Sequence, residues 1–294
     1  MKFLYKIPGP ILVCVGAFFL SYGGLLVKSF DDNFSLWQIL FWRSLFFTLT
    51  IAVFLLLTYK RKTLDIIKAI GLPGFLGGSV ISLGFVAYVF AMYTTTVANV
   101  NFTITTQTVF FALFGYIFLK EKISILNLIA IILAMLGVII MVGDSISKGS
   151  YIGNLVALMM PITLSIMVVI VRKFPQVDMV PAMLVAGFVS TIFGLIMAEN
   201  LVISNSNLIL GMRLGITQLG MGFICITIGS KSTPAAVIGV LMLIEAILGP
   251  VWAWMFLQEI PPESVFFGGA IIILAILIQF FSTKQKPKFK KNTI

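Results

Sequence analysis

STPAAVIGVLMLIEAILGPVWAWMFLQE, residues 232–259, combines the length of a membrane span with an acid inside it. Between Ser232 and Gln258 the only charged residue is Glu245, and Glu259 closes the stretch. About 20 apolar residues in a helix cross the hydrocarbon core of a bilayer. The stretch therefore predicts a membrane-spanning helix with one carboxyl group near its centre and a second at its end.

The composition of the whole chain points to the membrane as well. Of its 294 residues, 60% are hydrophobic and only 10% are charged, whereas about a quarter of the residues in soluble domains are charged. The sequence contains no histidine, and Cys14 and Cys225 both lie in apolar segments, so we expect no disulfide framework, metal site or cofactor. The net charge of +10 includes a basic tail from Lys284, which favours anionic lipid headgroups over nucleic acid as a partner.

Ten apolar segments separated by short polar breaks predict an all-α integral membrane fold of ten transmembrane helices. The first is interpreted as a retained helix, because its apolar run reaches about Val27 without a small-residue cleavage site. With the N-terminus in the cytoplasm, 16 Lys and Arg residues flank the inner ends and three flank the outer ends, which predicts that both termini are cytoplasmic. The predicted spans are 7–28, 35–58, 66–93, 97–119, 124–142, 151–172, 178–198, 207–230, 234–257 and 263–282.

An internal repeat relates the two halves of the chain. Residues 70–121 and 208–259, which are 138 positions apart, share ten identical residues, against roughly four expected by chance at this composition. We predict a first five-helix repeat in 1–146, a second in 147–283 and a basic cytoplasmic tail in 284–294. Because five is odd, the second repeat is inverted in the membrane, as in many secondary transporters.

The repeat separates two kinds of acid. Glu121 and Glu259 are equivalent and each ends a span, so we interpret them as structural helix-end acids at opposite membrane surfaces. Glu245 is equivalent to Gln107, and both lie about eleven residues into their spans, or roughly 16 Å at the helical rise. Near the middle of the bilayer, the repeat therefore pairs an acid in one half with a neutral amide in the other.

These segments resemble the drug/metabolite transporter (DMT) superfamily of EamA type. The resemblance rests on FGYIFLKEK and LAMLGVIIMVG in the first half, on residues 232–259 in the second, and on WQILFWRSLFF around Arg43. It implies a ten-helix transporter of the cell inner membrane that works by alternating access. The chain departs from the family at Ser21–Gly24, where a Trp-Gly pair is common, and in its unusually polar fourth span. The resemblance therefore leaves the substrate open.

Two ionisable residues at membrane depth are the leading functional candidates, because such groups are costly to keep there. Glu245 is interpreted either as a proton carrier or gating group, or as a structural group that joins helices. Arg43, roughly 12 Å deep, is interpreted either as a ligand for a substrate carboxylate, or as part of a structural ion pair or a side chain that snorkels to the surface.

Polar residues of the fourth span and several aromatic residues extend this candidate cavity. The segment NVNFTITTQT, 99–108, carries seven polar side chains on two neighbouring helix faces, which line a wet cavity or bond neighbouring helices. The aromatic residues hold a cationic or ring-bearing solute or belong to the interface belt and lipid packing. The predicted cavity residues are Tyr22, Arg43, Tyr88, Asn101, Thr105, Gln107, Glu245 and Trp252.

Together these features favour a secondary transporter. An integral-membrane enzyme is a remote alternative, because the sequence lacks histidine and an acidic metal pair within its spans, and a channel would need a visible selectivity device. The leading hypothesis is transport of a small polar organic solute such as an amino acid or related metabolite, possibly coupled to protons. The alternative is efflux of hydrophobic or cationic compounds. The expected partners are a small-molecule substrate and the lipid bilayer, and the protein is expected to be a monomer or homodimer.

Overall fold

The computed structural model is built from helices throughout the residues it describes, which are 2–95, 97–142, 151–257 and 263–284. The predicted tail beyond Lys284 and the acid Glu259 lie outside these residues. Short 3-10 helices occupy Lys2–Lys6 and Lys60–Lys62, and a π-helix occupies Arg213–Met221. The α-helices are α1 (Gly9–Leu20), α2 (Gly23–Lys28), α3 (Leu36–Tyr59), α4 (Thr63–Ala69), α5 (Gly71–Thr94), α6 (Val97–Thr105), α7 (Gln107–Leu119), α8 (Ile125–Val142), α9 (Tyr151–Ala157), α10 (Met159–Lys173), α11 (Val180–Met197), α12 (Asn205–Met212), α13 (Gly222–Ser230), α14 (Ala235–Leu241), α15 (Ile244–Leu257) and α16 (Glu263–Lys284).

Seven helical segments of the described chain are long and apolar enough to cross a membrane. Three shorter apolar helices, Thr103–Leu119, Ile125–Ile140 and Phe266–Ile278, fall within the remaining predicted spans. Many large apolar side chains, such as Leu56 and Ile132, are exposed, as positions facing lipid require. The all-α, multi-pass membrane class is therefore confirmed, whereas the count of ten spans and the location of the termini stay predictions.

The pairs formed by the longest helices are related by the two halves of the chain. Helix α1 packs on α13, and α5 packs on α10, which places the first predicted span beside the eighth and the third beside the sixth. Helices α3 and α11, α7 and α14, and α8 and α16 form further pairs, and α5 with α11 and α3 with the π-helix pack to a similar extent. Exchanging each span with the one five positions later leaves this set of pairs unchanged. The pairing is the one expected of two structurally related halves.

Four predicted spans are interrupted near their middle. The interruptions lie at Ser21–Tyr22 between α1 and α2, at Thr106 between α6 and α7, at Leu158 between α9 and α10, and at Met242–Leu243 between α14 and α15. A shift of 138 residues brings the first within about one residue of the third, and the second within two residues of the fourth. Broken helices at matching positions of two halves are a feature of secondary transporters.

Two of these interruptions have an identifiable cause in the sequence. Pro161 has no N–H and crowds the carbonyl four residues earlier, and that carbonyl belongs to Ala157, the last residue of α9. Directly after α6, the Thr106 hydroxyl donates to the carbonyl oxygen of Thr103 at 2.6 Å, and the Thr106 N–H bonds to the same oxygen. Both features tighten or interrupt the regular helical ladder at these points.

A contact between helices explains the interruption of the ninth span. The hydroxyl of Thr108 on α7 donates to the carbonyl oxygen of Gly239 on α14 at 3.0 Å. A regular α-helix would offer that carbonyl to the N–H of Leu243, but this N–H bonds to Val240 instead. The bend in the ninth span is therefore coupled to its packing against the fourth.

The π-helix approaches α3 at a point where only glycine fits. A Cβ on Gly215 would lie 2.4 Å from the Cβ of Phe46 and 2.5 Å from the carbonyl oxygen of Arg43. Glycines of this kind let membrane helices approach closely. The close contact holds the eighth span against the backbone that carries Arg43.

One end of the bundle is tied together by a cluster of hydroxyl groups and one carboxylate. Tyr5 donates to Oδ2 of Asp178 at 2.6 Å, and Tyr59 donates to the same oxygen. The other oxygen, Oδ1, accepts the N–H of Val180 at the start of α11 at 3.1 Å. Burial, reinforced by the negative charge of Asp178, raises the pKa of Tyr5 above its ordinary value. The cluster joins the N-terminal segment to the second and seventh spans.

Candidate functional site

A cavity of about 60 Å³ lies at the level of the helix interruptions. Residues beside all four interruptions reach it, namely Leu20, Gln107, Met160, Met242 and Glu245. The full lining comprises Leu20, Arg43, Ile81, Gly84, Phe85, Tyr88, Ile104, Gln107, Met160, Thr163, Leu164, Gln218, Leu219, Phe223, Met242 and Glu245. Both halves of the chain therefore build the cavity, and its few polar groups stand among apolar ones, as in many ligand sites.

Arg43 is the most deeply buried charged residue of this lining, with a relative exposure of 2%. Its Cζ atom lies 4.7 Å from the ring centre of Tyr88 and 5.7 Å from that of Phe85. Within the described residues, its buried Nε and Nη1 atoms have no hydrogen-bond partner, and it forms no salt bridge with Glu245. The ring contacts stabilise the cation without neutralising it.

A glycine on the first span leaves the space that the Tyr88 hydroxyl occupies. A Cβ on Gly23 would lie 2.6 Å from the Tyr88 hydroxyl and 2.7 Å from Nε2 of Gln218. Gln218, in the π-helix, donates to the carbonyl of Leu20, the last residue of α1, at 3.4 Å. Its Oε1 atom is buried and has no partner within the described residues. The interruption of the first span thus helps to position the ring beneath Arg43.

Glu245 and its counterpart Gln107 both reach the cavity from the start of a half-helix. Gln107 is the first residue of α7 and only 2% exposed. Glu245 is half-buried, lies in the first turn of α15, and donates its N–H to the carbonyl of Met242 at 3.1 Å. A carboxylate is favoured in the first turn of a helix by the helix dipole. The repeat therefore brings an acid and an amide to one cavity.

The other predicted cavity residues lie outside this lining. Trp252 donates from Nε1 to the hydroxyl of Ser21 at 2.7 Å, which links the ninth span to the interruption of the first. Asn101 lies beside the same pair of spans, because a Cβ on Gly249 would be 3.4 Å from its Nδ2 atom. Trp252 thus bonds to the first span and Asn101 lies close to the ninth, and the role of both side chains in transport stays a prediction.

Tyr22 and Thr105 also lie outside the lining. Tyr22 precedes α2 and packs, half-buried, against the apolar cluster that contains Tyr88. Thr105 is the last residue of α6 and is 3% exposed. Their proposed contact with a solute likewise stays a prediction.

Sequence reasoning missed two polar residues of the lining, Gln218 and Thr163. Each is a polar residue within an apolar span, which is the signal that selected Gln107. Thr163 also follows Pro161 closely and packs on Gly84, where a Cβ would lie 2.3 Å from the Thr163 hydroxyl oxygen. Polar residues beside a proline or in a glycine-rich segment are therefore candidates for the cavity lining, as are those of the fourth span.

The helix-end acid Glu121 takes part in a network that joins three spans. Its Oε1 atom pairs with Arg172, whose Nε donates to it at 2.6 Å, and its Oε2 atom accepts the N–H of Ala235 at 2.9 Å. Nη1 of Arg172 donates to the carbonyls of Ser230 and Thr233. This network, here called the Glu121 network, connects the ends of α7 and α10 with the turn between α13 and α14.

The fold is that of a multi-pass membrane protein in which the interrupted spans meet at one cavity. Residues 7–143 match the EamA-like transporter family. The match confirms the resemblance of the motifs to EamA-type proteins of the drug/metabolite transporter superfamily.

Two relatives named as uncharacterized transporters support the same class. One from Clostridium kluyveri is 28% identical over 202 residues, which cover 63% of this chain and 64% of the relative. One from Methanothermobacter thermautotrophicus is 22% identical over 208 residues, which cover 65% of this chain and 58% of the relative. The chain therefore aligns with less than two thirds of the length of either relative.

A solved crystal structure shares the fold over nearly the whole length of both chains. It has a TM-score of 0.78 and 15% sequence identity, and the match covers 94% of this chain and 98% of the other. At that identity the likeness concerns the arrangement of helices alone. It shows that the packing described above is a known fold.

Proposed function

We propose that this protein is a ten-span secondary transporter of the cell inner membrane, with both termini in the cytoplasm, and that it moves a small polar organic solute by alternating access. The observation that carries the proposal is the cavity at the helix interruptions, with the buried Arg43 and the acid Glu245 in its lining. Charged groups at membrane depth that face a cavity are typical of solute and ion pathways. An amino acid or a related metabolite is the solute class that fits both charges.

Support for alternating access comes from the arrangement of the helices. The main helix pairs are unchanged when the halves are exchanged, and the first, fourth, sixth and ninth spans are interrupted at matching positions. Two related halves that rock around a central site explain both features. The cavity of about 60 Å³ is far smaller than the roughly 300–1,000 Å³ of typical ligand pockets. The spans around it must therefore separate for a solute to enter or leave.

The Glu121 network supports a closed entrance on one side of the cavity. Glu121 and Arg172 join spans four and six to the turn that precedes span nine. In the proposed orientation this network lies on the cytoplasmic side. Separation of these ends would open a route from the cytoplasm, so the network is part of a gate in the proposed cycle.

A second candidate function is efflux of hydrophobic or cationic compounds. It is favoured by the aromatic rings of Phe85 and Tyr88 in the same lining as Glu245, because aromatic faces attract cations. The buried charge of Arg43 opposes it, since like charges repel strongly where water is excluded. We therefore rank it below transport of a polar solute.

Counterflow in proteoliposomes tests the two functions. Liposomes that contain the purified protein are loaded with one unlabelled amino acid at a time and exposed to the labelled compound, and protein-free liposomes serve as the control. Transient uptake above the control for at least one zwitterion is expected. If every zwitterion fails while a lipophilic fluorescent cation leaves the liposomes only when the protein is present, the second function replaces the first.

A further inference from the structure

We propose that the cavity selects solutes that carry a carboxylate group, and that the carboxylate of the solute binds to the guanidinium of Arg43. The proposal rests on the transport function above and narrows its substrate class. It assigns Arg43 to solute recognition, and it assigns Tyr88 to positioning the guanidinium.

The surroundings of Arg43 require an anion. Arginine stays protonated even when buried, and a buried charge is stable only when it is paired and hydrogen-bonded. Here Nε and Nη1 are buried without a partner within the described residues, and no carboxylate of those residues forms a salt bridge with the guanidinium. Because Arg43 also lines the cavity, a solute in the cavity can supply the missing anion.

The geometry favours a carboxylate as this anion. The guanidinium packs against the Tyr88 ring, with Cζ 4.7 Å from the ring centre, and Nε and Nη1 at the edge of its plane have no partner within the described residues. A carboxylate is planar and accepts two parallel hydrogen bonds from such a fork. A phosphate ester carries more charge, whereas Arg43 is the only cation among the described lining residues and Glu245 adds a carboxyl group. The small volume of the cavity also disfavours the larger group.

The remaining polar lining indicates what else the solute carries. Oε1 of Gln218 is a buried acceptor without a partner within the described residues, and the carboxyl group of Glu245 adds acceptor capacity in the same cavity. Acceptors call for a donor such as an ammonium or hydroxyl group. A small amino acid has a carboxylate for Arg43 and an ammonium group for these acceptors. A lipophilic cation has only the second group and meets repulsion from Arg43.

Matched pairs of small compounds test the carboxylate requirement on the wild-type protein in nanodiscs. L-alanine is compared with L-alaninamide, L-serine with L-serinamide, and propionate with propionamide and with propyl phosphate, and the concentration dependence of the thermal unfolding midpoint gives the apparent affinity. We expect at least one acid to bind and to bind at least tenfold more tightly than its amide. Propyl phosphate should bind more weakly than propionate. Tighter binding by the amides or by the phosphate, or binding by none of the acids, would overturn the proposal.

Variants then assign the effect to Arg43. Arg43→Gln should remove the preference for acid over amide, and Arg43→Lys should retain only part of it, because lysine lacks the planar fork. The matched control is Arg213→Gln, which removes an exposed arginine outside the cavity and should leave the preference intact. An Arg43→Gln protein that keeps the full preference would also overturn the proposal. If the Arg43→Gln protein does not fold, Tyr88→Leu should weaken acid binding, because it removes the ring that packs on the guanidinium. The comparison of acids with amides on the wild-type protein tests the proposal independently of any variant.

The counterflow assay separates this proposal from the transport function. Exchange of neutral or cationic solutes with no exchange of acids would leave transport standing and refute carboxylate selection. Binding of acids with no exchange of any solute would refute transport and leave the recognition site standing. Exchange that requires a carboxylate supports both.

Discussion

Replacing Glu121 by Gln should open the side of the cavity that the Glu121 network closes. The substitution keeps the size of the side chain and one hydrogen-bond acceptor, but it removes the charge that pairs with Arg172. The Arg172 guanidinium keeps its contacts with the carbonyls of Ser230 and Thr233, and the one remaining acceptor oxygen must serve either Arg172 or the N–H of Ala235. The three helix ends then lose the strongest interaction that connects them, while each helix stays intact.

The size of the effect follows from the exposure of the pair. The Arg172 and Glu121 side chains are 14% and 21% exposed, so the pair is better shielded than a surface salt bridge, which contributes about 0–1 kcal/mol. A hydrogen bond to a charged group contributes about 1.5–3 kcal/mol. We therefore expect the substitution to cost the closed conformation about 2 kcal/mol, which is roughly a 30-fold change in an equilibrium constant.

Cysteine labelling in inside-out vesicles measures this change. Cys14 and Cys225 are replaced by serine, and a single cysteine is introduced in place of Thr163, which lines the cavity. Its reaction with a membrane-impermeant thiol reagent added from the cytoplasmic side should be faster by tenfold or more in the Glu121→Gln protein. The matched control is Lys173→Gln, which removes an exposed charge next to Arg172.

Two results would refute the reasoning. Equal labelling rates in the parent and Glu121→Gln proteins would show that the network does not hold the closed conformation. A combination of Glu121→Gln with Arg172→Gln that costs the sum of the two single changes would show that the charges do not interact, because contacting partners give a non-additive cycle. The expected coupling is about 1–2 kcal/mol in thermal unfolding.

Three further predictions concern other parts of the molecule. Gly239→Ala should lower stability by about 1–3 kcal/mol in thermal unfolding, because the added Cβ would lie 2.8 Å from the backbone Cα of Thr108; an unchanged midpoint would contradict the close contact. Glu245→Gln should abolish the response of uptake to a pH gradient while counterflow persists, and a full response would exclude Glu245 as the proton carrier. The pKa of Tyr5 is raised in the folded protein, so its contribution to the free energy of unfolding is present below pH ~10 and is lost as the pH rises further. Tyr5→Phe should therefore reduce the fall of the unfolding midpoint at alkaline pH. An unchanged slope of the midpoint against pH would count against the contact with Asp178.

The sequence predicted the helical segments well because a membrane imposes a local rule. A span must be long, apolar and helical whatever its neighbours are, so hydropathy alone located the segments that form α3, α5 and α11. The depth of an ionisable residue is equally local, since it depends on its distance from the span ends. The sequence alone therefore predicted that Arg43, Gln107 and Glu245 lie well inside the membrane.

Contacts between distant residues could not be predicted in this way. The bond from Thr108 to Gly239 joins residues 131 positions apart, and the bond from Trp252 to Ser21 joins residues 231 positions apart. Neither the bend of the ninth span nor the position of its tryptophan follows from local propensity. Hydropathy identifies the polar and apolar residues of each helix, whereas the rotation and packing of the helices decide which of these residues reach the cavity.

The two halves share a backbone arrangement but not the chemistry of the cavity. Within the repeat, Glu245 corresponds to Gln107, Tyr88 to Ile226, and Gln218 to Val80. Related backbones provide two similar bundles that can exchange roles as the cavity opens to either side. A site that was equally symmetric would bind a polar solute in two orientations. Because acid, ring and amide come from single halves, we expect the solute to bind in one orientation throughout the proposed cycle. Substitutions that restore symmetry, such as Glu245→Gln, should then weaken discrimination among solutes more than they weaken the movement of the helices.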